Sequence, residues 1–106
     1  MGERYGMVFA FVLERPELDL GDRAVYCALA VHRNYKTGRC DPSNKKICKS
    51  SGLGLRAVQN HKRNLERFGV MTLTRRKGRT SQYRLAMSEE ERQANMKFYE
   101  SAGKCP

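Results

Sequence analysis

The sequence has no apolar run long enough to cross a membrane. Its longest such stretch, "MVFAFVL" from Met7 to Leu13, has seven residues and is followed at once by Glu14 and Arg15. A membrane-spanning helix needs about 20 apolar residues, and the run is also too short for the core of a signal peptide. We therefore expect a cytoplasmic protein that has no membrane partner.

Cysteine pairs with metal-binding spacing are also absent. The four cysteines are separated by 13, 8 and 57 positions: Cys27, Cys40, Cys48 and Cys105. No two of them form a CxxC pair, which is the usual half of a zinc site. A scattered site that includes His32 and His61 is the alternative, but the spacing does not favour it. We expect no metal, no cofactor and no structural disulfide.

Groups for catalysis are scarce as well. The acids are scattered, and no Ser/His/Asp, Cys/His or paired-carboxylate cluster appears at a useful spacing. A glycine-rich phosphate loop is missing. His61 falls near the apolar side of its predicted helix, where we expect a packed imidazole rather than a base or a ligand. The sequence therefore predicts that this chain is not an enzyme.

Acidic residues are nearly missing from one long block of this basic protein. The formal net charge is +10, yet residues 44–84 contain 12 Lys or Arg and one acid, a local charge of +11. The rest of the chain holds 9 bases and 10 acids, a charge of −1. Such a block attracts polyanions, with nucleic acid the commonest partner and an anionic membrane surface the next. A basic face kept only for solubility is the alternative.

The length of 106 residues is that of one domain. Residues 5–13 are apolar and aromatic enough for a short strand, with a helical turn as the alternative. Asp19 can cap a helix from Leu20 to Asn34, whose apolar spacing predicts the most buried element of the fold. A loop with Gly38 as its turn residue follows.

Two helices separated by a tight turn come next. Ser43 can cap a short helix from Asn44 to Ser51, and "GLG" at residues 52–54 forms the turn. A longer helix is predicted from Leu55 to Phe68, and Gly69 ends it as a left-handed residue.

After the second of these helices the apolar period changes from 3.6 to 2. This change predicts a β-hairpin over residues 70–85 with a basic tip around "KGR", in which Tyr83 packs rather than stacks on a base. Ser88 and Glu91 form a capping pattern, which opens a last helix to about Ser101.

These elements carry a family resemblance. The stretch "TGRCDPSNKKICKSSGLGLRAVQNHKRNLERFGVM", running into "TRRKGRTSQYRL", resembles the winged helix-turn-helix domains of plasmid and phage replication initiators and related transcriptional regulators. The resemblance covers residues 18–85. It implies a mainly α fold with a small β-hairpin, a winged helix-turn-helix of the α+β class. We expect this DNA-binding domain to span residues 1–87, followed by a C-terminal helix over residues 88–106.

Three positions depart from the family pattern. Relatives usually have Ser where Gly54 stands and Thr where Ala57 stands, and the lost serine hydroxyl removes a helix cap. They have an apolar residue where Lys62 stands. Lys62 must therefore extend past the edge of the core, or its helix packs differently from that of the relatives.

The helix from Leu55 to Phe68 has one strongly polar face. At about 100° per residue, five polar side chains share a sector about 100° wide, while Val58 and Leu65 lie opposite. Arg can donate two hydrogen bonds to guanine, and Asn or Gln can pair with adenine in the major groove. A solvated polar face is the alternative. We expect base contacts from Arg56, Gln59, Asn60 and Arg63, with Leu55 beside them and a phosphate contact from Arg67.

Two further basic segments are expected to contact the DNA backbone. At the hairpin tip, a glycine allows a tight turn and cationic side chains can reach phosphates or the minor groove. At the start of the short helix, exposed backbone N–H groups can bind a phosphate. The hairpin set is Arg75, Arg76, Lys77 and Arg79, and the helix set is Ser43, Asn44, Lys45 and Lys46.

The sequence thus predicts sequence-specific binding of double-stranded DNA, as a replication-initiation or transcription-regulatory module at the nucleoid. A winged-helix module that docks an acidic protein, and a binder of structured RNA, are the alternatives. Phe98 and Tyr99 of the last helix would be costly to leave in water. We expect them to pack against the helix that starts at Leu20 or to form a homodimer through the C-terminal helix.

Overall fold

The computed structural model describes residues 6–34 and 36–101. Within the described residues, five helices and one two-stranded antiparallel sheet form a mainly helical winged helix-turn-helix, so the predicted fold class is confirmed. In these two ranges no helix is long and apolar enough to cross a membrane. The elements are α1 (Ala10–Leu13), α2 (Leu20–Val31), α3 (Asn44–Ser51), α4 (Leu55–Arg67), β1 (Met71–Thr74), β2 (Gln82–Leu85) and α5 (Glu89–Ser101).

The central helix α2 supplies the largest share of the core, as predicted. Asp19 and Asp22 form a reciprocal capping box at its start, which satisfies N–H groups that the first turn leaves free. The helix ends at Val31, three residues before the predicted end at Asn34. The chain turns there because the N–H of His32 and that of Arg33 bond three residues back, at 3.1 and 3.2 Å.

The N-terminal apolar segment is a helical turn, so the predicted strand over residues 5–13 is wrong where the structure describes it, from residue 6. The N–H of Phe9 donates to the Tyr26 hydroxyl at 3.0 Å rather than to a neighbouring strand. Val12 is fully buried. Gly6 lies against the backbone of α2, where an added Cβ would stand 2.6 Å from the Ala30 carbonyl carbon. The segment can reach α2 because Gly6 has no side chain.

The two helices of the motif have the predicted starts. The Ser43 hydroxyl accepts a hydrogen bond from the N–H of Lys46 at 3.3 Å and opens α3. Gly52 ends α3 in the left-handed region, with φ of 78°, which costs glycine little. Gly54 precedes α4 with extended backbone and no side-chain cap. Ile47 of α3 packs fully buried in the core between α2 and α4.

The hairpin is confirmed, with Met71 opposite Leu85 and Leu73 opposite Tyr83. Met71, Tyr83 and Leu85 face the core, as the two-residue alternation predicts. The connection between the strands covers residues 75–81 and is thus longer than the predicted "KGR" turn.

The last helix starts and ends as predicted, and the Ser88 hydroxyl accepts from the N–H of Glu91 at 3.1 Å. Its main contacts are with α4 and β1, so the expected packing against α2 is wrong. Tyr99 is buried there, whereas Phe98 stays 66% exposed. Helix α5 packs on α4 because Arg92, which is buried, donates to the Phe68 carbonyl at 2.8 Å. This hydrogen bond fixes α5 to the end of α4.

Candidate nucleic-acid interface

Helix α4 presents one exposed polar face on an otherwise packed helix. Val58 and Leu65, on the opposite side, are fully buried. The only acid of the helix, Glu66, is half-buried at one flank of the polar face. Leu55, the first residue of α4, is 52% exposed beside the polar face. The exposed polar side chains are those expected to contact DNA: Arg56, Gln59, Asn60, Arg63 and Arg67.

The start of α3 lies close to α4 through one side-chain contact. Lys62 of α4 donates to the Asn44 side-chain oxygen at 2.7 Å. The amide oxygen of Asn44 is therefore used inside the protein, and its NH₂ group is what remains to meet a phosphate. Lys45 and Lys46, the two cations at this end, are exposed.

Lys62 also reaches the hairpin, as expected of a lysine that extends past the core edge. Its Nζ donates to the Tyr83 hydroxyl at 2.9 Å and lies 5.3 Å from the centre of that ring. Burial lowers the pKa of Lys62 and raises the pKa of Tyr83 to about 12. The lysine thus links α4 to α3 and β2, and Tyr83 packs in the fold rather than offering its ring to a base.

The hairpin tip combines exposed cations with one arginine that is bound inside the protein. Arg75, Lys77 and Arg79 are exposed around Gly78, whose φ is 71°. Arg76 is different, because its guanidinium donates to the Thr80 carbonyl at 3.0 Å and to the Asp41 carboxylate at 3.1 Å. It shapes the loop rather than facing outward.

Asp41 holds the hairpin tip beside the start of α3, a role that no pattern in the sequence indicates. Its backbone carbonyl accepts from the Thr80 hydroxyl at 2.9 Å. The hydrogen bond from Arg76 is the main cause that lowers the pKa of Asp41. Nearby, the N–H of Tyr83 donates to the Cys40 carbonyl at 2.7 Å. The residues of the hairpin and of α3 that we expect to contact the DNA backbone therefore lie close together.

On its other flank, α4 is joined to the start of α2. His61 Nδ1 lies 2.7 Å from Asp22 Oδ1, and the Asn64 amide donates to the same oxygen at 3.3 Å. The Asp22 carboxylate is buried, and its second oxygen accepts from the N–H of Asp19 at 3.2 Å. His61 is a packed imidazole, as predicted, and it sets the position of α4 against α2.

Part of this contact also has the geometry of a group of metal ligands, the one that occurs within residues 6–34 and 36–101. Asp19, Asp22 and His61 each offer one ligand atom, all within 4.8 Å of one another. Asp22 Oδ1 accepts from the Asn64 amide and Oδ2 from the N–H of Asp19, and these hydrogen bonds hold the carboxylate in place. Three cysteines are free thiols, and burial raises the pKa of Cys40 to about 12. Cys105 lies outside the described residues.

A family model described as a helix-turn-helix domain matches residues 17–71, which include α2, α3 and α4. The match thus covers more than half of the chain and both helices of the predicted motif. No curated protein and no solved structure gives a significant match.

Proposed function

This chain belongs to the helix-turn-helix domain family, a DNA-binding fold, and we propose that it recognises a specific sequence of double-stranded DNA. The observation that carries the proposal is the polar face of α4. Its five exposed side chains include three arginines and two carboxamides, and no acid. A face that carries both hydrogen-bond donors and carboxamides, which donate and accept, fits the edges of bases. Attraction to a polyanion alone requires only positive charges, such as those of lysines.

In this proposal α4 lies in the major groove. Arg56, Gln59, Asn60 and Arg63 contact bases, and Leu55 lies at the end of the helix where it can meet a thymine methyl group. Arg67, one turn after Arg63, contacts a phosphate. The exposure of all these side chains supports the assignment.

The hairpin tip and the start of α3 contact the backbone on either side of that groove. Arg75, Lys77 and Arg79 supply the cations of the hairpin, while Arg76 holds the loop through Asp41. At α3 the cap residue Ser43 leaves N–H groups of the first turn for a phosphate, next to Asn44, Lys45 and Lys46. The biological role we propose is replication initiation or transcriptional regulation at the nucleoid, of a plasmid or phage type.

Selection of binding sites from random duplexes tests the proposal directly. We expect one enriched sequence that the wild type binds in the presence of competitor DNA. Arg56→Ala and Asn60→Ala should each weaken binding to that site by ~1–3 kcal/mol and relax the base preference at one position. Lys36→Ala, an exposed cation in the loop after α2, is the control and should keep the base preference.

Parallel titrations with duplex RNA and heparin separate the alternatives. Equal affinity for duplex DNA of any sequence, for RNA and for heparin would contradict sequence-specific recognition. Preference for RNA would favour the structured-RNA reading. Binding of an acidic protein without binding of either nucleic acid would favour a protein-interaction module.

We propose in addition that two copies pair through α5. Phe98 is 66% exposed at a groove of about 1050 Å³ between α4, β1 and α5. In a two-fold pairing of α5 helices, the exposed Phe98 of each copy would meet the same patch on the other.

Sedimentation over a range of concentrations tests the pairing. Phe98→Ser should shift the protein towards the monomer. Leu20→Ser is the matched control, because Leu20 is an even more exposed apolar residue, at 82%, on α2. A wild type that stays monomeric at all concentrations and selects a site without two-fold symmetry would contradict the dimer.

A further inference from the structure

A second basic surface lies on the side of α3 that faces away from α4. There, the chain that follows α2 and the outer face of α3 enclose a cleft of about 660 Å³. Lys46, Lys49 and Ser50 of α3 form one wall, and residues 31–34 form the other. Asn44, which contacts α4 through Lys62, lies on the opposite side of α3. The cleft is thus separate from the polar face of α4.

The charges around this cleft have one sign. Arg33, Lys46 and Lys49 contribute three cations, and none of the described residues that line the cleft is acidic. The side-chain contact of Arg33 that the structure gives is with the Met87 sulfur at 3.2 Å, an uncharged and weak acceptor. Like charges that share a cleft repel one another, so a bound anion would stabilise this arrangement. The end of α2 adds about half a negative charge, which is small beside three full cations.

The walls of the cleft are held in place by hydrogen bonds. His32 Nε2 lies 3.0 Å from the Ser50 hydroxyl and joins the two walls. The N–H of Asn34 donates to the Arg39 carbonyl at 2.8 Å, which fixes the segment that carries Arg33. A site whose donors are already positioned binds an anion at a lower cost in side-chain entropy.

The position of Lys46 indicates which anion the cleft meets. Lys46 lines the cleft and also stands in the first turn of α3, where we propose a contact with the DNA backbone. A strand that passes the start of α3 therefore brings its next phosphates towards Arg33 and Lys49. Arginine and lysine are the residues that most often bind phosphate oxygens.

We propose that this cleft binds a phosphate group of the DNA backbone that flanks the bases read by α4, with Arg33 and Lys49 as its contacts. The inference rests on the proposed function and extends it. Neither residue is among those that the sequence predicts to contact DNA. The DNA footprint is then longer than α4 and the hairpin tip alone require.

The test compares two duplexes that share the selected site, one trimmed to that site and one extended on both sides. Wild-type protein should bind the extended duplex more tightly. The double variant Arg33→Ala/Lys49→Ala should bind the extended duplex roughly tenfold more weakly, and the dependence of log K on log salt should flatten by up to about 2 units. On the trimmed duplex its affinity should equal that of the wild type.

Two further variants keep the test independent of folding. Lys49→Glu changes one exposed residue and should lower affinity for the extended duplex only, while Lys97→Ala on α5 should bind both duplexes as the wild type does. An equal loss on both duplexes, or no loss on either, would overturn the inference. The inference would also be overturned if inorganic phosphate bound the cleft while the extended and trimmed duplexes bound the protein equally well. The cleft would then bind free phosphate and not the DNA backbone. Binding of the trimmed duplex by the wild type tests the proposed function separately.

Discussion

Gly21 lies directly against the ring of His61, which helps to hold α4 against α2. A Cβ added there would lie less than 3.0 Å from three atoms of the His61 ring. Real Cβ atoms do not approach so closely, so Gly21→Ala must displace either the ring or the start of α2. The His61 ring in turn holds the buried Asp22 carboxylate through a contact of 2.7 Å.

The expected cost follows from these contacts. If the ring stays, overpacking of this kind costs about 1–3 kcal/mol. If the ring leaves, a hydrogen bond to a charged acceptor is lost, which costs about 1.5–3 kcal/mol. Alanine gains up to about 1 kcal/mol over glycine in a helix interior, and less in the first turn. We therefore expect Gly21→Ala to lower the free energy of unfolding by about 1–3 kcal/mol.

Urea unfolding followed by circular dichroism measures this change. Gly54→Ser is the control, since a Cβ at Gly54 meets nothing within 4 Å and the hydroxyl can cap α4. That variant should be as stable as the wild type or slightly more stable. In a His61→Ala background, Gly21→Ala should become neutral or stabilising, because the methyl group enters the space of the missing ring. An equal loss in both backgrounds, or no loss in the wild type, would refute the reasoning.

Two further predictions concern the contact of α5 with α4. Gly69→Ala should lower the free energy of unfolding by at least about 2 kcal/mol in the same assay, because Gly69 has a φ of 75° and its Cβ would clash with the Arg92 carbonyl; wild-type stability would contradict it. The hydrogen bond from Arg92 holds the pKa of Glu89 at about 2, below its usual 4.5. Its stabilising contribution is therefore complete above about pH 4.5 and lost as the pH falls towards 2. Glu89→Gln should flatten the loss of stability between pH 5 and 2, and parallel curves for both proteins would argue against this ion pair.

The helices of the motif were predictable because their ends are marked by local signals. Ser43 is a good cap wherever a helix follows it, and Gly69 can take a left-handed conformation without help from distant residues. The apolar spacing of α4 likewise fixes which side is buried, whatever the partner helix is. These properties depend on neighbours within one turn or two, so the sequence displays them directly.

The N-terminal segment shows where local signals end. An apolar, aromatic run suits a strand and a packed helical turn equally well, and only the presence of a partner strand decides between them. Here the N-terminal segment packs beside α2 because Gly6 approaches Ala30 closely, although the two residues are 24 positions apart. The place of α5 depended in the same way on Arg92 and the Phe68 carbonyl.

The candidate interface was predictable in outline and not in its internal contacts. Exposure of the α4 face follows from the helical period, and so does the burial of its far side. The engagement of Arg76 by Asp41 joins residues 35 positions apart, and no pattern in either segment indicates it. A basic residue in a loop can therefore be counted as a DNA contact only after its partners in the fold are known.

The contacts around α4 leave one of its faces to a ligand. His61 ties one flank to α2, Lys62 ties the other to α3 and β2, and the Phe68 carbonyl after its last turn accepts from α5. A helix held at three places does not shift to accommodate a new ligand, so it presents its side chains at a fixed angle. If α4 reads bases as proposed, new base preferences should arise by exchange of exposed residues such as Arg56 and Asn60, with the three tethering residues unchanged. A set of variants that alters specificity through His61 or Lys62 alone, at wild-type stability, would show instead that the orientation of α4 is adjustable.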